Sequence, residues 1–108
     1  MAQDFKNDVA RAQGTTAAAI FTAGDYDAVI GIRCANILTT TIKVDIYIVR
    51  GGNNYYLCKS TPIPPGGSIE LIQGGAKIVM KNGDVLWHDC DTASGIDLWV
   101  SYIDTISE

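Results

Sequence analysis

Between residues 42 and 48 an apolar side chain falls at every second position: Ile42, Val44, Ile46 and Ile48 alternate with Lys43, Asp45 and Tyr47. A helix scatters that pattern around its axis, because successive side chains turn by about 100°. On a strand the same four residues line one side of the pleat. The segment is therefore held to a sheet with one apolar face and one polar face, as in an antiparallel layer whose other side meets water.

Similar signals repeat along the chain. Residues 15–22, 26–35, 41–50, 55–59, 68–72, 77–80, 85–90 and 96–103 read as strands. Ile69 and Leu71 share a face, and so do Ile96, Leu98, Val100 and Tyr102. Turn chemistry separates these runs. Gly51-Gly52-Asn53-Asn54 and Asn82-Gly83 supply residues that tolerate positive φ. Three of the four residues in Pro62-Ile63-Pro64-Pro65 cannot donate to a ladder, which marks an edge or a corner. About eight short strands with no helix between them predict an antiparallel β-sandwich, with jelly-roll and immunoglobulin-like topologies both open. Ile30, Ile32, Val44, Ile46, Ile48, Leu57, Ile69, Leu71, Val85, Leu98 and Val100 are the expected inner-face residues. Each contributes about 1.5 to 3 kcal/mol on burial.

The beginning of the chain reads differently. Residues 1–14 are polar, with Phe5, Val9 and Ala12 spaced three or four apart. That spacing suits a turn or two of amphipathic helix, too short to hold alone in water. The segment is expected to be an N-terminal arm that orders against a partner subunit, with a frayed terminus as the alternative. The β-sandwich domain then covers residues 15–108.

Charge and cysteine content narrow the partners. The net charge of −4 and the absence of a basic run argue against duplex nucleic acid. No apolar stretch approaches the roughly 20 residues of a membrane-spanning helix. Asp4, Lys6 and Asp8 deny the first residues the apolar core of a cleaved leader. An odd count of three cysteines, Cys34, Cys58 and Cys90, reads as free thiols made in a reducing cytoplasm.

A set of catalytic residues is hard to assemble from this chain. Any triad would need His88, the one histidine. His88 and Cys90 share a strand face, but there is no paired C-x-x-C spacing to build a zinc site. Asp25, Asp27, Asp89 and Asp91 flank turns, where acids usually bond the local backbone. The Gly-Gly pairs match no phosphate-loop pattern. No enzyme, metal or cofactor is expected. Aromatic residues remain. Tyr55 and Tyr56 are adjacent, so a strand turns one of them outward. Trp87 is expected to pack in the core at a sandwich end. Trp99 and one tyrosine are expected at an interface or as a saccharide-stacking platform. With Phe5 and Val9 of the arm, Tyr55, Tyr56 and Trp99 are the interface candidates.

The stretches Ala28-Val29-Ile30-Gly31-Ile32-Arg33-Cys34-Ala35-Asn36, Ile63-Pro64-Pro65-Gly66-Gly67-Ser68-Ile69-Glu70-Leu71 and Asn82-Gly83-Asp84-Val85-Leu86, with Tyr55-Tyr56-Leu57 between the first two, follow one another in an informative order. In this the chain resembles the small β-sandwich virion structural proteins of tailed bacteriophages. Ala23-Gly24-Asp25 stands where that family usually carries Pro-Ala-Gly. The resemblance implies a non-enzymatic particle component, most simply a capsid decoration or cement protein, with a tail, baseplate or fibre part that binds carbohydrate or receptor as the alternative. It also implies other capsid or tail subunits as partners, self-association that could be trimeric, and a place in the virion after synthesis in the host cytoplasm.

Overall fold

The structure is a computed structural model that describes residues 4–24, 26–72 and 76–104. Nine strands follow in order: β1 Phe5–Gln13, β2 Ala18–Thr22, β3 Asp27–Asn36, β4 Ile42–Arg50, β5 Asn53–Ile63, β6 Ser68–Glu70, β7 Ile78–Met80, β8 Val85–Cys90 and β9 Ile96–Ile103. There is no helix among the described residues. All pairings are antiparallel. One sheet runs β1-β9-β3-β6, with β7 also paired to β3, and the other runs β2-β8-β4-β5. Counted without β7, the first sheet takes strands one, eight, three and six, and the second takes two, seven, four and five. That interleaved order is the two-sheet jelly roll, not the immunoglobulin arrangement.

The core lies between the sheets. Val29, Ile32 and Cys34 of β3, Ile42, Val44 and Ile46 of β4, Leu86 and Cys90 of β8, and Ile96, Leu98 and Val100 of β9 are all buried there, with Phe21, Ile63 and Met80 closing the ends. Of the expected inner-face residues, Ile32, Val44, Ile46, Leu98 and Val100 are buried, and Ile48, Leu57, Ile69 and Leu71 pack half-buried against them.

Two polar residues hold corners that the apolar pattern leaves open. The buried Asn36 side chain donates to the carbonyls of Thr40, Ile63 and Pro64, and its Oδ1 accepts from the Leu38 amide. The buried Asp84 accepts from Arg50 Nε at 2.7 Å and from the Lys81 amide at 3.0 Å, bracing the Asn82-Gly83 turn. The Arg50 guanidinium holds the Asp84 carboxyl below the usual carboxylate range.

The structure corrects three expectations. Residues 5–13 form no helical turn; they are strand β1, paired with β9 from Phe5↔Ile103 to Gln13↔Ile96. Phe5 and Val9 are four apart, which suits a helix, but both are odd-numbered and so share a strand face as well. Val85 and Trp87 do not enter the core. Leu86, His88 and Cys90 are the buried residues of β8, so the other parity faces out. Ile30 is displaced by a bulge between Val29 and Gly31 and leaves the core set.

Candidate interaction face

β1, β9 and β3 alternate between the core and the outside. Ala10, Leu98, Cys34 and Ile69 lie in register across the five-stranded sheet and pack inward. Their neighbours Val9, Trp99, Arg33 and Glu70 therefore form a row on the outer face. A second outer row runs Phe5, Ile103, Ala28 and Val79. Phe5 is 76% exposed, Val9 56%, Trp99 54% and Val79 53%. Four large apolar side chains left in water on one sheet face are an unusual expense for a domain this small. Between the rows, Asn7 stands beside Ser101, and the Ile30 bulge lies next to them. There the face sinks into a depression of about 270 Å³ lined by Phe5, Lys6, Asn7, Ile30, Ser101 and Tyr102. Polar groups rim the patch. Arg33 bonds Ser68 Oγ at 3.1 Å, and Glu70 Oε2 accepts from the Ile32 amide at 2.7 Å.

Three of the five interface candidates, Phe5, Val9 and Trp99, are thus brought together, with Val9 and Trp99 directly paired. Tyr55 and Tyr56 lie on the other sheet. Both are exposed, although only one was expected to be. Val79 and Ile103 also belong to the apolar face and were not singled out in the sequence. Their signal was faint: Val79 sits in a three-residue strand, and Ile103 closes the last one.

The outer face of the four-stranded sheet carries a different arrangement. Ala19, Trp87, Tyr47 and Tyr56 are in register across its four strands. The Tyr47 and Tyr56 rings are 5.0 Å apart, and Lys59 Nζ stands 4.6 Å over the Tyr56 ring. Tyr47 was expected on the polar side of β4. It does face that way, but these neighbours bury it to 6% exposure. Asp45 and Asp89 face each other in the next row. Asp45 accepts from the Ser60 amide at 2.6 Å and lies 4.0 Å from Lys59. Burial, then the hydrogen bond and the negative charge of Asp45, push Asp89 up to about 6.

His88 is 1% exposed on the inner face of β8, and its Nδ1 has no hydrogen-bond partner among the described residues. Burial lowers its pKa, so the ring is neutral. Asp45 and Asp89 lie on the opposite side of that sheet, so His88 and the acid pair do not converge. Cys34 and Cys90 are buried and Cys58 half-buried, all as free thiols. Burial pushes Cys34 up to about 12, which keeps it protonated and unreactive. Among the described residues no three metal-ligating side chains gather, and no helix is long and apolar enough to cross a membrane. Asp25, one of the turn acids weighed in the sequence, lies outside the described residues. No family model, no curated protein and no solved structure matches the chain.

Proposed function

We propose that this chain is a non-enzymatic structural subunit that docks the outer face of its five-stranded sheet on a neighbouring protein, and specifically that it is a virion structural protein of the capsid-decoration type. The observation that carries the docking reading is the exposed set Phe5, Val9, Val79 and Trp99 on one face with a polar rim. Such a patch has the anatomy of a protein interface: an apolar, aromatic centre inside a ring of charged and polar groups. The order of turns and strands that resembles phage virion proteins supports the more specific assignment. The jelly roll accommodates it too, although the same fold serves capsid and lectin domains alike and so decides nothing alone. A base sealed in the core and acids on the far side of the sheet favour a part that works by contact.

Quantitative mass spectrometry of purified particles of the phage that encodes the chain tests the assignment. The chain should be present at a fixed copy number, and Trp99→Ser should lower its retention at least tenfold without changing its thermal unfolding. Absence of the wild-type chain from the particles would sink the virion reading. A second reading, a tail component that binds saccharide, is favoured by the exposed Tyr55 and Tyr56 on the four-stranded sheet, since exposed aromatic side chains can stack on sugars. A glycan array separates the two, because binding that is lost in Tyr56→Ala and kept in Trp99→Ser belongs to the four-stranded sheet.

A further inference from the structure

β1 is the edge of the five-stranded sheet, and its outer side is unpaired among the described residues. The phase of its free hydrogen-bonding groups follows from the ladder with β9. The Asp104 amide donates to the Asp4 carbonyl, and the register pairs Phe5 with Ile103 and Lys6 with Tyr102. Even-numbered residues therefore spend their backbone groups on β9. Phe5, Asn7 and Val9 aim their amides and carbonyls at the open edge.

An antiparallel partner across a two-fold axis must set the outward odd-numbered residues opposite one another, which an axis at any residue of the strand does, but an axis at Lys6 or at Asp8 sets two like charges face to face. Through Asn7 the sequence Phe5-Lys6-Asn7-Asp8-Val9 becomes complementary to itself. Phe5 would face the partner's Val9, Asn7 the partner's Asn7, and Lys6 the partner's Asp8. The residues on each side of Asn7 match in kind: one of each charge, then one large apolar side chain. Moving the axis to Val9 sets Asn7 against the partner's Arg11 and Asp8 against the partner's Ala10, and loses the match.

The side chains suit this partner. Phe5 and Val9 are the most exposed apolar residues of the strand. Asp8 points inward beside Val100 and makes no hydrogen bond or ion pair among the described residues. Lys6 already reaches Asp104 at 2.8 Å, and an ammonium with three donors can serve a second carboxylate. An inward charge on an edge strand ordinarily discourages pairing with other chains. Here it discourages all but one register.

We infer that two copies of this chain associate through β1, antiparallel about a two-fold axis at Asn7, joining their five-stranded sheets into one continuous sheet. About six backbone hydrogen bonds form across the seam. Lys6 pairs with the partner's Asp8 on the core side. On the outer side Phe5 and the partner's Val9 join the two apolar patches. A two-fold contact of this kind closes on itself and uses the edge once per copy.

The test is sedimentation equilibrium of the full chain over a concentration series. The wild type should associate reversibly to twice 11.6 kDa. Lys6→Asp and Asp8→Lys each set like charges face to face across the seam and should each sediment as monomers. An equimolar mixture of the two variants should restore the dimer, because their charges complement one another. Asn7→Pro removes an amide that β9 does not use, so it should leave a folded monomer with unchanged thermal unfolding. Amide exchange at Asn7 should slow as the wild-type concentration rises. The inference is overturned by a wild type that stays at 11.6 kDa throughout, by a three-copy mass, or by a dimer that survives Asn7→Pro. It stands apart from the proposed function: particle retention tests that reading, and the mass of the isolated chain tests this one.

Discussion

Asp89 and His88 are neighbours on β8, and they give the protein opposite responses to acid. Asp89 has its carboxyl pushed up to about 6 from an ordinary 3.8. Its contribution is full below pH 4 and is lost as the pH rises through about 6. Asp89→Asn should therefore raise stability at pH 7 by about 1 kcal/mol, a figure reduced for the solvent screening of a partly exposed pair, and change nothing near pH 4. Urea titrations at the two pH values check this. His88 has the opposite sign. Its pKa is lowered from 6.5 by burial, so its neutral ring costs nothing extra above pH 6.5 and opposes folding as the pH falls below it. Its Nδ1 has no hydrogen-bond partner among the described residues at either pH. His88→Leu should stabilise by about 1 kcal/mol at pH 7 and by more at pH 5, read as the shift of the thermal midpoint.

At the scale of the elements, β4 and β9 could be read directly, because their apolar residues keep a strict period of two. β8 was harder. Its inward set is Leu86, His88 and Cys90, and a histidine in the core hides the phase that its apolar neighbours would have shown. β1 was harder still: only Phe5, Val9, Ala10 and Ala12 are apolar, and the two larger ones face water, so burial leaves no mark on the sequence. The bulge at Ala10–Gln13, with Ala12 at φ 52°, ends the regular pairing. β1 nevertheless fills one of the eight jelly-roll positions and covers one side of β9. Deleting residues 1–13 should uncover the edge of β9 and abolish cooperative thermal unfolding, whereas loss of a loose arm would leave the midpoint in place. Circular dichroism on heating distinguishes the two.

For the whole molecule, turn spacing and alternation made the sandwich legible but left its topology open. Nothing local says that β9 lies between β1 and β3, since that order is set by pairings far apart in sequence. The candidate face was legible in part for the same reason. Phe5, Val9 and Trp99 stood out singly as exposed apolar types, and only the β1–β9 register shows that they are neighbours. Tyr55 and Tyr56 stood out equally and belong to the other sheet. A fold so dependent on distant pairings should form slowly, on the order of milliseconds to seconds, and stopped-flow tryptophan fluorescence reports it.

The central seat of β9 also sets an order of events at the ribosome. Among the described residues β1 pairs with β9 alone in its sheet, and β3 lies on the far side of β9. Until residues 96–103 clear the exit tunnel, a growing chain has no template on which to seat its first strand. Until then the backbone groups that β1 later spends on β9 stay unpaired.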